Sequence, residues 1–255
     1  MNTTKRTSSK SLSIIIVTIA SLIFPLGCMG VSTGPQVTQE EVRRETQELE
    51  VKKQQYEVKK QKRPFAGLDL ARQRKLVKTV GSELLRQVED SLDVNFQVQE
   101  GEAVNAGATF GKIVVTTGMI RFLGSKDELA VVLGHELAHL TKGHLTKGIV
   151  SNIPVIIGST VAESISPGSG EVVQKGGSIF TQKFSRDMER EADHFGIHYA
   201  HNAGYDAAAG IDIWERFAIE LPVSQKTTIF SSHPSSTERM VRARKVANSL
   251  KAHSK

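Results

Sequence analysis

The sequence predicts an α+β domain, mainly helical, with a small β-sheet beside one central helix. Three observations carry this expectation. Apolar residues recur at helical spacing in four separated stretches, 70–94, 125–142, 178–202 and 207–221, and a basic helical stretch, 235–250, follows them. Strand-like runs are few and short, 94–98 and 113–116, and both precede the helix at 125–142. The chain has 255 residues, 39% apolar and 24% charged, a composition that supports a sizeable core rather than a disordered polymer.

In chain order, residues 1–28 have the layout of an export signal. Lys5, Arg6 and Lys10 precede an apolar run from 12 to 26, which ends in Gly27-Cys28. That run is short of the roughly 20 residues a membrane span needs. Cys28 is the sole cysteine, so no internal disulfide can form and no thiolate is available elsewhere as a ligand. Its place after the apolar run resembles a bacterial lipobox, in which the cysteine is lipidated, although Pro25 stands where that motif has Leu. Met29 after it resembles the outer-membrane lipoproteins of enteric bacteria. The sequence therefore divides into a signal peptide, 1–27, a lipid-anchored charged tether, 28–63, and a globular domain, 64–255. Within the tether, 39–63 is dense in Glu, Gln, Lys and Arg without a wide apolar stripe, which predicts a solvated helix or a partly ordered tether.

Three of the six net positive charges are Lys5, Arg6 and Lys10, so the remainder carries +3 and no dedicated nucleic-acid surface is indicated. The globular part begins near Pro64. After the helix at 70–94, Val94–Val98 alternates in the strand manner. The stretch 103–117 then leads through a Gly-rich turn into the β-branched run Ile113, Val114, Val115 and Thr116. This run is expected to be the edge of the sheet.

The segment 125–142 is the centre of the chain. Ser125 and Glu128 form a capping box, and Leu129, Val132, Leu133, Leu137 and Leu140 fall on one stripe. His135, Glu136 and His139 spell H-E-x-x-H. Residues four apart share a helix face, so both imidazoles can reach one metal ion while Glu136 stands beside it as general base. This is the chemistry of a zinc hydrolase, with one Zn²⁺ per chain. The interrupted apolar stretch 148–165, with Pro154 and Gly158, and the Gly/Ser-rich 167–177 predict a hairpin or lid near the site.

A third ligand is expected from the helix at 178–202. Glu189 and Asp193 lie four apart in the order E-x-x-x-D. In the gluzincin arrangement the Glu is a ligand and the Asp hydrogen-bonds a ligand histidine. Asp187 and Glu191 form a rival pair in the reverse order. The metzincin pattern is excluded because Gly143 and His144 are out of register, and His144 is assigned to solvent or a second helix face. A second site at His194 and His198 is set against ordinary packing, since no acidic base lies between them. His233, before Pro234 in a loop, is a candidate to approach the metal.

HELAH, EREAD, the upstream VNAGATFGKIVVTTGMI and the downstream SHPSSTERM together resemble the Oma1-like and HtpX-like zinc metallopeptidases, relatives of the CaaX prenyl proteases. The resemblance covers 70–250 and is nearest to the small secreted lipoproteins of Gram-negative bacteria. It implies that His135, His139 and Glu189 bind zinc, that Glu136 activates water and that Asp193 supports a ligand histidine. It further implies that Asn105 with Ile113–Thr116 binds substrate backbone as an edge strand, and that His233 caps the zinc. Gly107 departs from the family's usual block before the strand. The expected function is a metalloendopeptidase, lipid-anchored at the outer membrane and facing the periplasm, that cleaves unfolded or misassembled envelope proteins. A chaperone-like lipoprotein with a structural or capped zinc is the alternative; an intact Glu136 argues against it.

Overall fold

The computed structural model describes residues 33–56, 63–88, 92–147, 184–221 and 237–253. Cys28, His233 and the expected hairpin at 148–177 lie outside them. In chain order the described elements are α1 (Gln39–Gln55), α2 (Leu70–Leu85), β1 (Asn95–Gln99), β2 (Ala106–Thr109), β3 (Lys112–Thr116), α3 (Thr117–Phe122), α4 (Lys126–Thr141), α5 (Arg186–Asn202), α6 (Ala209–Glu220) and α7 (Thr237–His253). This is the mainly helical α+β architecture with a small sheet. None of the described helices is long and apolar enough to cross a membrane.

Side-chain caps set the helix starts. Thr38 and Glu41 close a capping box on α1, and Asp69, Ser125 and Ser185 accept from backbone N–H groups that begin α2, α4 and α5. Helix α2 is shorter than expected, ending at Leu85. A helix that the spacing did not reveal, α3, is capped by the Thr116 hydroxyl, which accepts from Met119 N–H at 3.1 Å.

The three-stranded sheet has the order β1-β3-β2, with β1 parallel and β2 antiparallel to β3. This corrects the expectation that Ile113, Val114, Val115 and Thr116 form an edge. They lie in the central strand, whose two ladders are both taken, with Phe96 opposite Ile113 on one side and Ala108 on the other. Thr116 and Asn105 are buried too. The Thr116 hydroxyl donates to the carbonyls of Ala103 and Asn105, and Ala106 N–H donates to Asn105 Oδ1. These five residues build the sheet, and β2, which packs on α4, is its edge on that side.

Helix α4 is buried from Glu128 to His139, on nearly every side. Such a helix is a core element, and the single stripe expected for it is too narrow. It meets α5 at a glycine pair: a Cβ on Gly134 would lie 2.6 Å from Gly196 O, and one on Gly196 would lie 2.6 Å from His135 N. The two backbones therefore touch, and the histidines of one helix face the carboxylates of the other.

Helix α1 is docked rather than solvated. It buries Leu49 and Glu45 and lies against α7 and α6. Arg244 pairs with Glu45 at 2.6 Å, Lys245 with Glu41 at 2.7 Å, and Lys52 with Glu215. Nothing in a charge-rich sequence reveals such a partner, because the surface that receives it comes from the far end of the chain.

Candidate metal centre

Helix α4 contributes His135, Glu136 and His139, all buried, and α5 contributes Glu189 and Asp193, buried as well. His135 Nε2 lies 3.1 Å from His139 Nε2, and these atoms lie 3.5 Å from Glu189 Oε2 and Oε1 respectively. Among the described residues, His135, His139 and Glu189 are the group of His, Cys, Asp and Glu that could share a metal ion, their ligand atoms all within 4.8 Å of one another.

The surroundings fix the histidines. His135 Nδ1 donates to Asp193 Oδ1 at 3.0 Å, which leaves Nε2 directed at the cluster. Burial opposes the charged form of His135, but the hydrogen bonds and charges of Asp193 and Glu189 prevail and raise its pKa to about 9. Asp193 is held below the usual carboxylate range: burial pushes it up, and the charge and hydrogen bonds of Arg239, with His135, outweigh that. Phe184 stacks on His139, ring centroids 3.8 Å apart.

Three participants were not assigned to the site from the sequence. Arg239, in the first turn of α7, is buried over the Trp214 ring and pairs with Asp193 at 2.6 Å and Glu189 Oε2 at 3.2 Å. It stands in the SSTERM block, but its target is set only by how α7 crosses α5. His144 is a correction. Gly143 adopts φ +66° after α4, and His144 turns back to be fully buried, its Nδ1 3.0 Å from His139 Nδ1. Its Nε2 lies 3.1 Å from Glu191, the residue read as part of a rival surface pair. Burial lowers the pKa of His144, and the hydrogen bond and charge of Glu191 oppose that shift. His194 and His198 pack on each other, and no third ligand joins them among the described residues.

The donor set fits a divalent metal ion. Bonds of about 2.0–2.2 Å in tetrahedral geometry separate donors by about 3.3–3.6 Å, close to the observed triangle. Charge agrees: the carboxyl groups of Glu189 and Asp193 pair with the guanidinium of Arg239, Glu136 adds a further buried carboxyl group, and a divalent cation would balance the remainder.

The profile of Peptidase family M48 matches residues 71–247. The chain belongs to peptidase family M48. The matched span begins in α2 and ends in α7, so it includes every element of the M48 site. The chain is 27% identical over 191 residues to the beta-barrel assembly-enhancing protease of Yersinia pestis, covering 69% of this chain and 39% of that protein. It is 33% identical over 131 residues to the mitochondrial metalloendopeptidase OMA1 of Arabidopsis thaliana, covering 51% and 26%. With metalloprotease LoiP of Escherichia coli it shares 28% over 170 residues, 62% of this chain and 65% of that protein. The alignments thus span well under half of the first two proteins. M48 membership carries a metal cofactor with it, and the His-His-Glu cluster is where this chain's donors meet.

Proposed function

We propose that this M48 peptidase is a zinc-dependent metalloendopeptidase that hydrolyses peptide bonds of protein substrates in the bacterial cell envelope. The observation that carries the reading is the meeting of His135, His139 and Glu189 across two helices, with Glu136 buried beside them. His135, His139 and Glu189 would hold one Zn²⁺, which when bound polarises the scissile carbonyl and acidifies water. Glu136 takes the proton of the attacking water and returns it to the leaving amine. Asp193 keeps His135 in the tautomer that presents Nε2, and Arg239 keeps Asp193 and Glu189 ionised and in place. Substrate backbone adds to the sheet at β2, with the buried β3 behind it.

The names of the relatives, a protease that enhances β-barrel assembly among them, support protein substrates of the envelope, unfolded or misassembled membrane proteins in particular. Residues 1–27 act as the signal peptide and Cys28 carries the lipid at the outer membrane, facing the periplasm. The catalytic domain is 64–255, with α1 in the lipid-anchored segment. His233 caps the zinc in the resting enzyme.

The test is zinc content and cleavage of an unfolded protein. Glu136→Gln should keep its zinc and lose about 10²–10⁴-fold in turnover; undiminished cleavage would refute the assignment. His233→Ala should raise activity, and an unchanged rate would remove the cap.

A further inference from the structure

Two ligand histidines need two anchors, and the structure supplies them by different routes. His135 has Asp193 directly. His139 Nδ1 faces His144 Nδ1 at 3.0 Å, and His144 Nε2 faces Glu191 Oε2 at 3.1 Å. We infer that His144, held by Glu191, is a positioning residue that fixes His139 in the tautomer a metal requires.

With one proton on each imidazole, the two contacts leave one consistent arrangement. A carboxylate only accepts hydrogen bonds, so Glu191 requires a donor at His144 Nε2. A neutral imidazole with its proton on Nε2 presents a lone pair at Nδ1. The facing nitrogen, His139 Nδ1, must then carry the hydrogen and donate it. This leaves His139 Nε2 unprotonated and directed at His135 Nε2 and Glu189, where the metal ligands converge. In the opposite arrangement His144 would donate from Nδ1, its Nε2 lone pair would meet the Glu191 carboxylate, and the His139 proton would occupy the ligand position. Chain geometry makes the contact possible. His144 is five residues after His139, off the helix register, and reaches it because Gly143 takes a positive φ and breaks α4.

The inference rests on the metallopeptidase reading, and the measurements separate the two. Zinc affinity of the full chain, measured by competition with a chelator, is compared for wild type, His144→Phe and His144→Asn. Phe keeps the ring volume and has no acceptor; Asn places an amide oxygen near the Nδ1 position. His144→Phe should weaken zinc binding by about 10–100-fold and His144→Asn by less than about threefold, with Glu191→Ala between them. In zinc-free protein with ¹⁵N-labelled histidine, His139 should be protonated at Nδ1 in wild type and His144→Asn, and a mixture of tautomers in His144→Phe. Zinc uptake by the wild type tests the peptidase reading by itself, and the zinc-free tautomer tests the relay whether or not zinc binds. A wild-type His139 protonated at Nε2, or His144→Phe binding zinc as tightly as wild type, would overturn the inference.

Discussion

The crossing of α4 with α5 and the docking of α1 on α7 are both rich in charge, yet they use it in opposite ways. At the first crossing the side chains of Asp193 and Arg239 are 5% and 4% exposed, and the backbones touch at Gly134 and Gly196. At the second, the side chains of Arg244 and Lys245 are 39% and 34% exposed, although Glu45 opposite Arg244 is itself buried. Charges withdrawn from water are strongly coupled and expensive to leave unpaired, whereas exposed pairs are screened and nearly interchangeable. The buried set can therefore hold a metal site to a fixed geometry, and the exposed set acts as a reversible fastening.

The largest effect should come from Arg239→Met. It leaves Asp193 and Glu189 buried without their guanidinium, which should destabilise the zinc-free protein by about 3–5 kcal/mol. With zinc bound the loss should be smaller, because the cation supplies part of the missing charge. Denaturant unfolding with and without zinc measures both; equal losses would mean that Arg239 does not serve the metal site. Next is Gly196→Ala. Its Cβ would lie 2.6 Å from His135 N and 2.8 Å from His135 Cα, so α5 must move away from α4. A loss of about 1–3 kcal/mol is expected, together with weaker zinc binding as Glu189 withdraws from the histidines. Unchanged zinc affinity would show that the backbone contact does not set the ligand distances.

What could be read in advance follows the same division. His135 with His139 and Glu189 with Asp193 are legible because each pair lies four apart on one helix, and Glu136 because it stands inside the H-E-x-x-H pattern. Arg239 was not, because its partners lie 46 and 50 positions earlier and are chosen by the crossing of α7. His144 was misplaced because register along α4 stops at Gly143. The β-branched run 113–116 was read correctly as a strand but wrongly as an edge, since alternation and apolarity report burial and not the number of neighbours. Docking of α1 depends on carboxylates and cations that any solvated helix also carries.

A smaller effect is expected on the α1 side. Leu49 is the buried apolar residue of that helix, and Leu49→Ala should cost about 2 kcal/mol. The loss should appear as faster hydrogen exchange in 39–55 while α4 and α5 keep their protection. If cleavage of an unfolded protein by this variant falls in parallel with α1 protection, the two crossings are coupled through α7 and the contrast between them is too sharp.

The smallest effect concerns the exposed ion pairs themselves. Hydrogen bonds from Lys245 and from the Thr38 backbone hold Glu41 well below its ordinary 4.5, at about 2. A carboxylate with a depressed folded-state pKa stabilises above its unfolded value, and the contribution is lost as pH falls through the folded one. Fastening of α1 by Glu41 is therefore complete above about pH 4.5, declines between 4.5 and 2, and is absent below that. Raising the salt concentration at neutral pH should mimic part of this loss, because Lys245 and Glu41 are open to screening. Asp193 lies behind Arg239 and out of reach of ions, so the α4–α5 crossing should not respond to salt. Hydrogen exchange of α1 against α4 and α5, at low and high salt in zinc-free protein, reads the difference directly. A salt response of equal size in both regions would mean that burial does not separate them.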